Sequence, residues 1–97
     1  MATLEVVNPQ ATTVIEAVAP APRLDTMRGK TIGLYWNMKS GGDTALERTA
    51  KLLEERYPDT EFKQYIGSVG AVIRHATDED IEQVVDKCDA VVGTTSD

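Results

Sequence analysis

The seven residues Lys30-Thr-Ile-Gly-Leu-Tyr-Trp36 decide the fold. Apolar residues occupy both alternating faces of the run, which suits a strand buried on both sides of a parallel sheet. Residues 37–42, NMKSGG, form a loop behind it, and Thr44-Ala-Leu-Glu47 has the S/T-x-x-E form of a capping box. A helix is expected from there to about Tyr57. Leu46, Ala50, Leu53 and Tyr57 make its apolar face, Glu47 and Lys51 an i,i+4 pair on the other side, and Pro58 its stop. Residues 60–66, TEFKQYI, set Phe62 and Ile66 against Glu61 and Lys63, the alternation of a strand near a sheet edge. A second helix starts at Thr77, where Asp78, Glu79 and Asp80 favour the positive end of its dipole, and is expected to bury Ile81, Val84, Val85 and Cys88. Asp89-Ala-Val-Val-Gly93 is the third strand. The order β-α-β-α-β, with right-handed crossovers, gives a Rossmann-like or flavodoxin-like parallel sheet with helices on its faces.

Residues 1–23 read differently. Asn8-Pro9, Pro20 and Pro22 interrupt a stretch rich in Ala, Thr and Val, so these residues form an extended arm ahead of an α/β unit over residues 24–97. The β-branched apolar residues Val6, Val14 and Ile15, with Leu4, suggest an arm that packs on a neighbour rather than a solvated linker. A doubly wound domain usually has four or more strands, and this sequence reaches Asp97 four residues after its third. The expectation is a half-domain completed by a second chain.

Composition narrows the function. Sixteen Asp and Glu outnumber ten Lys and Arg, and the basic residues are scattered, which argues against nucleic acid and anionic membranes as partners. No apolar run approaches the ~20 residues that span a bilayer, and no signal peptide opens the chain, so a cytoplasmic location is expected. Cys88 is the sole cysteine; it falls on an apolar helical stripe beside acidic surface, fit for packing rather than for a thiolate, and it has no spaced partner for a metal site.

Ligands of open parallel sheets bind outside the carboxyl ends of the strands, where three segments meet here. In the first, Asn37, Lys39, Ser40 and Gly41 place a cation, a hydroxyl and a glycine before a helix N-terminus, able to hold a carboxylate or phosphate. The segment matches neither G-x-x-x-x-G-K-[ST] nor G-x-G-x-x-G, so nucleotide binding gains no support. In the second, Arg74 suits a forked grip on a carboxylate and His75 a proton transfer near neutral pH. Gly67-Ser-Val-Gly70 has the outline of a GXXG clamp but lacks the basic helices of an RNA-binding module. The third holds Thr94, Thr95, Ser96 and Asp97. Trp36 can wall a pocket there or fill the core, and the consecutive acids of residues 78–80 point around a helix instead of converging on a metal.

Taken together, Leu24-Asp-Thr-Met-Arg-Gly-Lys-Thr-Ile-Gly-Leu34, Asn37-Met-Lys39, Leu52-Leu-Glu-Glu-Arg-Tyr57 and Asp89-Ala-Val-Val-Gly-Thr-Thr-Ser-Asp97 resemble the amino-terminal half of the UGSC-like proteins. Asn8-Pro9 and Ala21-Pro22-Arg23 fit the usual preamble of this bacterial family, named for a selenocysteine-or-cysteine Gly-Ser-Cys motif. In the family the motif directly follows an aspartate after the third strand, and the matching position is Asp97. The resemblance therefore implies a cysteine-dependent enzyme with redox or thiol chemistry whose reactive cysteine opens a partner chain, made by a separate gene or by cleavage. Thr95, Ser96 and Asp97, with His75, would then serve the reacting thiol, while Asn37, Lys39, Ser40, Gly41, Arg74 and Thr94 hold a small anionic substrate. The other expectations are a non-catalytic subunit that docks its apolar arm and open sheet edge on a larger protein, and a phosphate-binding flavodoxin-like domain.

Overall fold

The computed structural model describes residues 2–70 and 74–94. Five elements follow in the expected order: β1 (Thr31–Trp36), α1 (Gly42–Arg56), β2 (Glu61–Ile66), α2 (Asp78–Lys87) and β3 (Ala90–Thr94). All pairing is parallel and the strand order is β2-β1-β3, the opening arrangement of a flavodoxin-like sheet. β1 is central because it is the most apolar strand, while β2 carries its polar residues at the edge. The foot of β1 is held from both sides: Glu61 N–H donates to Lys30 O at 3.0 Å and Asp89 N–H to Thr31 O at 2.8 Å. The Asp89 carboxylate also accepts from Thr31 N–H at 2.9 Å.

The two faces are built unequally. On one, Ile32 and Leu34 of β1 pack with Leu46 of α1, surrounded by Met27, Trp36, Ala50, Phe62, Ala90 and Val92. The other carries Tyr35, Val91 and Gly93, with Val84 of α2 buried over them and Ile81 at the rim of the same groove. Tyr35 and Tyr65, partners in register, stack there with centroids 6.4 Å apart.

Three expectations are corrected. α1 begins at Gly42, with Gly41 in the left-handed region (φ 89°) as its N-cap and no side-chain cap, so Thr44 and Glu47 already lie inside the helix and form no capping box. A Cβ on Gly42 would sit 2.7 Å from the Trp36 ring, and only glycine lets the helix start against that side chain. Glu47 and Lys51 are both exposed, but no ion pair joins them. Of the stripe expected to be buried on α2, Val84 is buried and Cys88 half-buried at the C-cap, whereas Ile81 and Val85 face outward. Residues 2–23 hold no helix or strand, and Leu4, Val6, Val14 and Ile15 stand exposed.

Candidate functional site

The carboxyl ends of the three strands are stitched together by hydrogen bonds that cross between loops. Arg74 N–H donates to Asn37 O at 2.7 Å, joining the loop after β2 to the loop after β1. Thr94 Oγ1 donates to Gly42 O at 2.8 Å, joining the end of β3 to the start of α1. Thr94 is thus the last residue of a strand and not part of the loop beyond it.

Residues 37–41 close on themselves. Asn37 Oδ1 accepts from Lys39 N–H at 3.0 Å, and Lys39 O accepts both from Trp36 Nε1 at 2.8 Å and from Gly42 N–H at 3.1 Å. One N–H that could meet an anion at the α1 terminus is therefore already used, and Asp43 adds a negative charge in the first turn. Ser40 and Gly41 are exposed at the rim and Lys39 is half-buried. Trp36 serves both roles considered for it, packing on the core and walling a groove of about 190 Å³ with Leu46, Gln64 and Ile66.

The loop after β2 is the better-organised half. Val69 and His75 pair as an antiparallel bridge, with His75 N–H donating to Val69 O at 2.6 Å and Val69 N–H to His75 O at 3.3 Å. That bridge presses the His75 carbonyl onto Gly67 so closely that any Cβ there would overlap it. The His75 residue itself is exposed. The Arg74 guanidinium donates from Nη1 to Ser68 O at 3.3 Å, while its Nε is buried with no acceptor. Leaving a charged donor buried and unpaired costs on the order of 1–3 kcal/mol or more, a cost that an acceptor brought by a ligand or a neighbouring segment removes.

Asp80 and Tyr35 have roles at this edge that the sequence reading did not give them. Asp80 Oδ2 accepts from Ser68 N–H at 3.0 Å, Ser68 Oγ at 2.7 Å and Thr77 N–H at 2.9 Å, while Thr77 Oγ1 accepts from Asp80 N–H at 3.2 Å. The Thr77 hydrogen bond above all, then those of Ser68, holds the Asp80 carboxyl down to about 2. Tyr35, on β1, has a buried hydroxyl without a partner, and burial, then the negative charge of Asp80, push its phenol above the ordinary value. Thr77-x-x-Asp80 is a capping box with Asp in place of Glu, and that spacing was its only available signal.

The structure gathers Asn37, Lys39, Gly41, Arg74 and Thr94 at one edge and leaves His75 on its exposed flank. Thr95, Ser96 and Asp97 lie outside the described residues. Among the described residues no group of three His, Cys, Asp or Glu is placed to hold a metal ion, and no helix is long and apolar enough to cross a membrane. Parallel strands in the order 2-1-3, with loops knitted over their carboxyl ends, define an α/β protein of the flavodoxin-like class. The model of the UGSC family matches residues 5–97, and the chain belongs to that family. No curated protein and no solved structure matches it.

Proposed function

We propose that this chain supplies the substrate-positioning residues of a cysteine-dependent enzyme whose reactive thiol, or selenol, belongs to the Gly-Ser-Cys motif for which the family is named. The observation that carries the reading is Arg74, held by its backbone to Asn37 at the sheet edge with a buried guanidinium N–H that has no acceptor. A guanidinium so held is a preorganised grip for a small carboxylate, with Lys39 on the loop after β1 and Thr94 at the end of β3 on the same edge of the sheet. His75 stands within the same loop as Arg74 as a proton carrier. Membership of the UGSC family, over residues 5–97, supports the cysteine-dependent reading.

The grip is testable without knowing the substrate. In the natively purified protein, the motif cysteine is alkylated with anionic iodoacetate and with neutral iodoacetamide, and the modified peptide is identified by mass. Arg74→Ala is expected to slow iodoacetate at least about tenfold, the worth of one charge-assisted hydrogen bond, and to leave iodoacetamide unchanged. An unchanged ratio between the two reagents removes Arg74 from the site.

A further inference from the structure

β2 is an outer strand of the sheet, and its free edge carries a self-complementary charge pattern. A sheet that opens in the order 2-1-3 adds its further strands beyond β3, so β2 keeps the edge. Glu61 N–H donates to Lys30 O, so residues 61, 63 and 65 turn their N–H and C=O groups toward β1, while Phe62 and Gln64 turn theirs outward. Among the described residues nothing pairs with that side. The strand pairs regularly over its six residues and has neither the proline nor the bulge that blunts many edges. On the α1 face, Phe62 is only partly buried against the core and Ile66 is 48% exposed, beside the groove that Trp36 and Leu46 wall. On the α2 face, Glu61 and Lys63 are exposed, and neither forms an ion pair with a described residue.

Charge decides what fits. Glu61 and Lys63 are the only charged side chains of β2, opposite in sign and two residues apart. When two copies of the strand meet antiparallel about a twofold axis, an axis at Glu61 or at Lys63 sets like charge against like. An axis at Gln64 sets Lys63 against Tyr65. With the axis at Phe62, Glu61 of each copy stands directly opposite Lys63 of the other, at the non-hydrogen-bonded positions where cross-strand side chains come closest. We propose that β2 pairs antiparallel with β2 of a second copy of this chain about an axis at Phe62, so that the two sheets become one. A lysine on an edge strand ordinarily keeps other chains away. Glu61 supplies the answering charge to a second copy in this register, whereas a strand without that pattern leaves Lys63 unanswered. The same axis brings the two half-buried Phe62 residues together on the α1 face. Because the paired strands run in opposite directions, the two edges that hold Arg74 point apart, and each copy keeps its own site. The pairing is independent of the chemistry proposed for that site.

Sedimentation equilibrium of the natively purified protein is expected to show a species of two copies. Glu61→Lys turns both cross-strand pairs into like charges and should weaken the association at least about tenfold. Adding Lys63→Glu to that variant reverses the pattern on both strands and should restore the association to within about threefold. In the otherwise unaltered protein, the photo-crosslinking residue benzoylphenylalanine in place of exposed Gln64 should react across the axis, where Thr60 of the second copy lies opposite. The expected product has twice the mass of one copy and joins position 64 to the peptide of residues 57–63. A species of one copy only, an association that Glu61→Lys leaves unchanged or that the double variant fails to recover, or cross-links from position 64 to any other segment or protein overturn the proposal.

Discussion

Single atoms at the sheet edge govern how the loops are held. Asp80 gathers three hydrogen bonds on one oxygen, and it does so as a carboxylate. Its pKa is lowered in the fold to about 2 from 3.8, so its contribution to stability is complete above about pH 4 and is lost as pH falls toward 2. Acid unfolding followed by circular dichroism should show a limb in that window, and Asp80→Asn should flatten it; an unaltered limb assigns the acid sensitivity elsewhere. Gly42 makes an equally local prediction. Trp36 is held through its Nε1 hydrogen bond, so it cannot yield to a Cβ placed 2.7 Å away, and Gly42→Ala should destabilise the fold by about 1–3 kcal/mol in denaturant titrations. Neither residue stood out in the sequence. Asp80 reads there as one of three dipole-favouring acids, and its reach back to Ser68 depends on how the loop after β2 folds, which no spacing encodes.

At the level of elements, local pattern was informative where an element is determined by its own residues. β1 is apolar on both faces and proves central; β2 alternates and proves an edge; the Thr77 start of α2 holds because a hydroxyl and an acid three residues on satisfy each other's backbone. Thr77→Ala should therefore cost about 1 kcal/mol, with Thr77→Ser restoring most of it, read from thermal unfolding of the two variants side by side. The pattern misled where tertiary packing overrides it. Thr44-x-x-Glu47 has the form of a cap, yet Gly42 fits beneath Trp36 and the helix starts three residues sooner, with Gly41 as its N-cap. Ile81 and Val85 share a helical stripe with Val84, yet only Val84 meets the sheet, because burial of a stripe depends on what lies opposite it.

Across the whole molecule, burial is concentrated on the α1 face. Ile32, Leu34 and Leu46 form its centre, and each fully buried aliphatic side chain contributes about 1.5–3 kcal/mol. The opposite face buries Val84 and leaves the outer edge of β3 open beside apolar side chains, while the arm presents Leu4, Val6, Val14 and Ile15 to solvent. The family and the sheet order were legible because they reside in contiguous strands and their flanks; the assembly of Asn37, Arg74 and Thr94 was legible only as three loops meeting at one edge. The central claim, that this chain positions an anionic substrate for the family's motif cysteine, is tested most directly by the rates at which iodoacetate and iodoacetamide alkylate that cysteine in the natively purified protein, with and without Arg74→Ala. A loss of at least about tenfold for iodoacetate alone is the expected result. An unchanged ratio between the two reagents contradicts it.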